Sequence, residues 1–122
     1  MSQQQIQEIE TASSRRTCDP SLNLRIEIEE AEIFSALFKA LSHPVRVQIL
    51  DLISQGKGET CACDIERHFE LTQPTISHHL KVLRDAGLIS SESHGVWVHH
   101  CINPAKVTVL SHLLATMQND SE

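Results

Sequence analysis

The pattern of apolar and polar positions divides the chain into an apolar-poor head and a strongly patterned remainder. Residues 1–28 carry few large apolar side chains in no regular order, and Cys18-Asp19-Pro20-Ser21 is typical of a turn, so we expect a flexible N-terminal arm. From Glu29 onward the pattern predicts one domain, residues 29–118. Its first helix ends at Ser42-His43-Pro44 and has apolar residues at helical spacing: Ile33, Phe34, Leu37, Phe38, Ala40 and Leu41.

Three further helices are predicted before Gly87. Ser42 is expected to cap the second, with Pro44 in its first turn and Gly56 and Gly58 beyond its end. A short third helix over 60–69 and a fourth over 73–86 are joined by a tight turn. The second helix is strongly apolar and should form the centre of the core, with Val45, Val47, Ile49, Leu50, Leu52 and Ile53.

The pattern after Gly87 predicts a β-hairpin over 88–102 with a polar tip at Ser90–Gly95, and then a last helix from Pro104. The apolar stripe of that helix comprises Val107, Leu110, Leu113, Leu114 and Met117. Helix, turn, helix and hairpin follow one another as in a winged helix-turn-helix, so the fold class is mainly α with a small β-hairpin. In that fold the second helix of the motif enters the major groove and the hairpin is the wing.

The fourth helix has the composition of a DNA-reading helix. Ile76, Leu80 and Leu83 should face the core, which leaves an outer face of polar side chains without long acidic ones. Such side chains can bond base edges, and Lys and Arg can neutralise phosphates. The candidate DNA-contacting residues, including one in the hairpin, are Gln73, Thr75, Ser77, His78, His79, Lys81, Arg84 and His94.

Charge and composition narrow the function classes. The net charge is −6, but residues 1–35 hold seven acidic and three basic side chains, so most of the acidity lies outside the predicted DNA-reading segment. We expect a modest salt dependence of DNA binding and weak nonspecific DNA binding, which argues against a DNA-packing protein. Neither a signal peptide nor a membrane span is evident, so we expect a cytoplasmic protein. Without a phosphate loop or a base positioned near a nucleophile, the sequence does not indicate an enzyme.

Four cysteines, Cys18, Cys61, Cys63 and Cys101, are expected to be free thiols or ligands because cytosolic thiols are kept reduced. Cys61 and Cys63 lie at the start of the predicted third helix, where the helix dipole favours thiolates, and soft thiolates select arsenite, antimonite, cadmium or lead. Residues i and i+2 of a helix do not face each other. Either Cys61 precedes the helix or, as we hypothesise, ion binding distorts the first turn and alters the spacing of the two DNA-reading helices of a dimer.

Several segments together resemble the ArsR/SmtB family of metal- and metalloid-responsive repressors, over about residues 30–117. The resemblance implies a homodimer, formed through the first and last helices, that binds an inverted-repeat operator without a cofactor. It further implies repression of a resistance operon and release of DNA on ion binding. The segments are Leu37–Arg46, Thr60-Cys61-Ala62-Cys63-Asp64-Ile65, Leu71–Leu83, Ala86-Gly87-Leu88-Ile89 and Gly95-Val96-Trp97-Val98-His99.

The family's best-known arsenic pattern has a third cysteine where this chain has Glu66. Trivalent arsenic takes three sulfurs, so we expect Cys18 of the arm to supply the third, from the same or the partner subunit, with Cys101 as competitor. The last helix offers only His112 for the family's zinc site, which is therefore discounted. A cadmium- or lead-responsive repressor, or a redox sensor that forms a disulfide, remains an alternative.

Overall fold

The computed structural model describes residues 17–118, in which the chain forms five helices and one antiparallel hairpin. The elements are α1 Ile28–Ala40, α2 Pro44–Gln55, α3 Ala62–Glu66, α4 Gln73–Asp85, β1 Ile89–His94, β2 Trp97–Ile102 and α5 Pro104–Gln118. Residues 1–16 of the predicted arm lie outside the described residues. Residues 17–27 contain the predicted turn, in which Asp19 Oδ1 accepts from the backbone N–H of Ser21 at 2.9 Å. The division into arm and domain stays a prediction.

The boundary between α1 and α2 differs in one respect from the prediction. His43, not Ser42, caps α2, because its Nδ1 accepts from the backbone N–H of Val45 at 3.1 Å. The Ser42 hydroxyl instead donates to the carbonyl of Lys39 at 2.7 Å, in the last turn of α1. Pro44 occupies the first turn as expected, where its missing N–H has no helical partner to lose.

The third helix is shorter than predicted at both ends. Thr60 lies outside it and pairs with His100 of β2, whose backbone N–H donates to the Thr60 carbonyl at 2.8 Å. Cys61 is the N-cap, with extended backbone angles of φ −96° and ψ 166°, and α3 spans five residues. The Asp64 carboxylate accepts from the Cys61 N–H at 3.0 Å and fixes this start.

The strands of the wing are longer, and its turn is shorter, than predicted. Ser90 to His94, expected at the tip, continue β1 and pair with Trp97 to Cys101. A two-residue turn at Gly95-Val96 joins the strands, and Gly95 supplies the positive φ of 65° that such a turn requires at its first position.

The core joins all helices to the base of the wing. Its fully buried side chains come from α2, α3, α4 and the start of the hairpin: Ile49, Ile53, Ile65, Ile76, Leu83 and Leu88. By contrast, α1 and α5 each leave large apolar side chains exposed, namely Ile28, Ile33 and Phe38 on α1, and Val107, Val109, Leu114 and Met117 on α5. Within residues 17–118, none of the helices has the length and apolarity that crossing a membrane requires.

Candidate nucleic-acid interface and cysteine site

Helix α4 presents a polar outer face, as its sequence predicts. Thr72 caps the helix, accepting from the Thr75 N–H at 3.3 Å, and Thr75 is half-buried with its hydroxyl 2.9 Å from that of Thr72. Lys81 donates to Asp85 at 2.7 Å, and this hydrogen bond lowers the pKa of the Asp85 carboxyl. The exposed candidates on the helix are Gln73, Ser77, His78, Lys81 and Arg84.

His79, also predicted to contact DNA, is buried and does not lie on this exposed face. The side chain is 5 % exposed, and its ring centroid lies 4.5 Å from that of His43. Arg46 Nη1 lies 3.3 Å from His79 Nδ1, while Arg46 Nε donates to the Ala40 carbonyl at 2.6 Å. Burial, with the charges of His43, Arg46 and His78, lowers the pKa of His79. A neutral His79 thus accepts from Arg46 and ties α4 to the α1–α2 junction.

The wing carries one candidate contact and one buried histidine that the sequence did not single out. His94 is exposed near the tip, stacks on His99 at 4.6 Å, and has its Nε2 3.4 Å from Glu92 Oε1. His100 is buried, with Nδ1 2.7 Å from the Ser91 hydroxyl. Burial, with the charges of Arg84 and His99, lowers the pKa of His100.

Cys61 and Cys63 lie side by side at the start of α3. Their sulfurs are joined as a disulfide, with Cα atoms 5.3 Å apart, so the expectation of free thiols is wrong for this pair in this structure. Our distortion hypothesis is also wrong in its premise. Because Cys61 precedes the helix in extended conformation, its side chain reaches that of Cys63 with the first turn intact.

A carboxylate completes a group of three candidate ligand atoms. The Asp64 oxygen and the two sulfurs lie within 4.8 Å of one another, and among residues 17–118 no other such group of His, Cys, Asp or Glu occurs. Asp64 was not predicted as a ligand, although its spacing from Cys61 matches a capping box. Two soft thiolates and one carboxylate suit a thiophilic cation or metalloid once the disulfide is reduced.

The other two cysteines are free and are not brought to this pair within the protomer. Cys18 is exposed in the segment before α1. Cys101 is half-buried in β2, with its sulfur 3.1 Å from the Ser90 hydroxyl. Neither therefore serves as a third sulfur ligand in the conformation described.

The cysteine pair borders both elements that are predicted to contact DNA, α4 and the wing. A cavity of about 310 Å³ lies between α3, the first residue of α4 and the tip of the wing. Its wall consists of Cys61, Ala62, Cys63, Glu66, Gln73, Val96, Trp97 and Val98. A group bound to the sulfurs would lie against the wing and beside the start of α4.

The architecture, two helices joined by a tight turn and followed by a wing, defines a winged helix-turn-helix protein. A homodimeric winged helix-turn-helix DNA-binding domain from Mycobacterium bovis, described as a possible ArsR-family transcriptional regulator, superposes with a TM-score of 0.58 at 24% identity. The alignment covers 81% of this chain and 94% of that one. This likeness confirms the predicted fold.

Sequence comparison gives the family. Residues 43–91 match the model of bacterial regulatory proteins of the arsR family. The arsenical resistance operon repressor of Staphylococcus xylosus is 49% identical over 61 residues, 50% of this chain and 57% of that protein. The repressor of the same name from Bacillus subtilis is 42% identical over 73 residues, 60% of this chain and 69% of that protein. The chain belongs to the ArsR family, as its motifs indicated, and is a transcriptional regulator rather than an enzyme.

Proposed function

We propose that this protein is a homodimeric repressor of a metalloid-resistance operon, and that arsenite or antimonite bound to Cys61 and Cys63 releases it from its operator. The observation that carries the proposal is the position of the cysteine pair: the two sulfurs share one cavity with Gln73 of α4 and with the tip of the wing. The two relatives described above, from Staphylococcus xylosus and Bacillus subtilis, are named for arsenical resistance operons.

DNA recognition is assigned to the outer face of α4 and to the wing. Gln73, Ser77 and His78 lie in the first half of the helix, where base edges are read, and Lys81 and Arg84 follow, where they can meet phosphates. His94 extends the surface onto the wing. The operator would be double-stranded DNA with an inverted repeat, since two symmetric reading helices contact two half-sites.

The dimer would be formed by α1 and α5. Both helices expose large apolar side chains, including Ile33 and Phe38 on α1 and Leu114 and Met117 on α5. Contiguous apolar surface of this kind marks interaction sites. A two-fold axis between these helices would leave α4 and the wing free for DNA.

The effector chemistry requires reduced cysteines, and we therefore propose that the protein acts in the reducing cytoplasm. Arsenous acid, As(OH)₃, condenses with two thiols to give a dithiolate As–OH species and two waters. A third thiol would replace the hydroxyl and release a third water, and Cys18 of the partner subunit is our candidate because Cys18 is exposed. Cadmium or lead is the alternative effector, for which the Asp64 carboxylate would add an oxygen ligand.

A redox sensor is the second candidate, and the disulfide between Cys61 and Cys63 favours it. Peroxide would oxidise the two thiols to this disulfide and yield two waters, and a thiol reductant would reverse the step. No ion would then be needed for DNA release.

Fluorescence anisotropy of a labelled duplex, selected from a random pool by the phosphine-reduced protein, distinguishes these functions. We expect near-stoichiometric arsenite to release the DNA, Cys63→Ser to abolish release, and Cys101→Ser to leave it unchanged. Release by cadmium or lead alone would move the assignment to a metal sensor. Release by peroxide alone would favour the redox sensor, and failure of the reduced protein to select DNA would refute the repressor itself.

A further inference from the structure

We propose that Trp97 of the wing is the residue through which occupancy of the cysteine pair is transmitted to DNA binding, within a single protomer. The inference rests on the proposed function and specifies how its site is regulated. In place of a change in the spacing of the two DNA-reading helices of the dimer, it invokes a direct contact between the bound effector and the wing.

The first observation is the shared cavity. Cys61 and Cys63 form one side, and Val96, Trp97 and Val98 of the wing tip form another. The Trp97 side chain remains 56 % exposed and Val96 91 % exposed, so the wing tip is not locked into the core. A metalloid bound to the two sulfurs would occupy the same cavity, of about 310 Å³, that Trp97 lines.

The second observation is a backbone link between the same two elements. Thr60 directly precedes Cys61, and its carbonyl accepts from the N–H of His100, three residues beyond Trp97 in β2. A backbone change at Cys61 on ligation would therefore reach β2 through the Thr60–His100 hydrogen bond, and the bound group would contact Trp97 directly. Displacement at these two points would rotate the wing.

The third observation concerns α4, which meets the same cavity only at its first residue. Gln73 lines the cavity, whereas Ile76, Leu80 and Leu83 fix the rest of the helix in the core. The wing is a two-stranded hairpin with an exposed tip, and the helix is held along its length. Since packed cores resist displacement more than exposed hairpins, the wing is the element that moves.

The chain provides its own reporter, because Trp97 is its single tryptophan. We expect arsenite added to phosphine-reduced protein without DNA to change Trp97 emission, with an end point equal to the number of Cys61–Cys63 pairs. The change should vanish in Cys63→Ser and persist in Cys101→Ser. Arsenite that consumes the two thiols without altering the emission would overturn the proposal.

The decisive quantity is the coupling ratio, the DNA dissociation constant with arsenite divided by that without it. Ratios of roughly 5 to 150 are usual for allosteric proteins. We expect Trp97→Ala to bind arsenite with unchanged stoichiometry but to reduce the ratio to below about threefold, and Trp97→Phe to retain most of it. Ser93→Ala, in the same hairpin but off the cavity, is the matched control.

The ratio separates the two hypotheses. If Trp97→Ala has the same coupling ratio as the wild type, even with weaker DNA binding with and without arsenite, the role of Trp97 is overturned. The proposal of an arsenite-responsive repressor would not be affected. A wild-type protein that arsenite does not release would overturn both. Circular dichroism of each variant identifies misfolding, in which case Trp97→Phe and the wild-type emission decide.

Discussion

Ile65 should hold the cysteine-bearing segment in place, and its truncation is a quantitative test of the fold. It is the buried side chain of α3, at 0 % exposure, and belongs to the core cluster with Ile49, Ile76 and Leu83. Ile65→Ala removes three carbons, which at about 0.8 kcal/mol each amounts to about 2.4 kcal/mol of lost transfer free energy. With the cavity left behind, we expect a loss of about 3 kcal/mol in the free energy of unfolding.

Urea denaturation of the reduced protein, carried out at one fixed protein concentration, measures this loss in the free energy of unfolding. Ile65→Val should cost about 1 kcal/mol, because one carbon is removed. Val47→Ala is the matched control, since Val47 is 51 % exposed on α2, and its change should stay within about 0.5 kcal/mol. A loss below about 1 kcal/mol for Ile65→Ala, or one equal to that of Val47→Ala, would refute the burial of α3 against the core.

Three further predictions follow from single contacts. Because folding lowers the pKa of His79, the unfolded chain binds a proton at this residue more readily than the folded protein does. The contribution of neutral His79 to stability is therefore fully present above the pKa of the unfolded chain, about 6.5, and is lost as the pH falls through the pKa of the folded protein. Urea midpoints at pH 7.5 and 5 should therefore converge in His79→Gln relative to wild type, and an unchanged difference would contradict this. Lys81→Met should reduce the slope of log K for DNA against log salt by about 1 while changing stability by no more than about 0.5 kcal/mol, because the ion pair with Asp85 is exposed; an unchanged slope would remove Lys81 from the interface. Gly56→Ala should lower the thermal midpoint, because its Cβ would overlap the buried Thr60 hydroxyl, and an unchanged or raised midpoint would show that Thr60 moves freely.

The order of the helices and strands was predictable because it depends on local features of the sequence. Apolar spacing, the position of Pro44 and the glycines after α2 and α4 correctly predicted α1, α2, α4 and α5. The errors arose where an unusual residue does a common task. His43 caps α2 through its imidazole nitrogen, and Cys61 caps α3, whereas serine, threonine and aspartate are the residues normally sought there.

Parts of the site depend on contacts between distant segments, which local pattern does not contain. His79 was counted as polar and exposed, but Arg46, 33 residues earlier, gives its ring a hydrogen-bonding partner and allows burial. The cavity that joins Cys61 to Trp97 likewise forms only when the wing folds over α3. The cysteine pair itself was predictable, because its spacing and chemistry are local.

Reciprocal titration tests the central claim most directly. If arsenite at Cys61 and Cys63 weakens DNA binding by a given factor, then DNA must weaken arsenite binding by the same factor, because the two equilibria share one coupling free energy. We predict equal factors when arsenite is titrated calorimetrically into reduced protein with and without saturating duplex, and no arsenite binding by Cys63→Ser. Arsenite affinity that is the same with and without DNA would contradict the account.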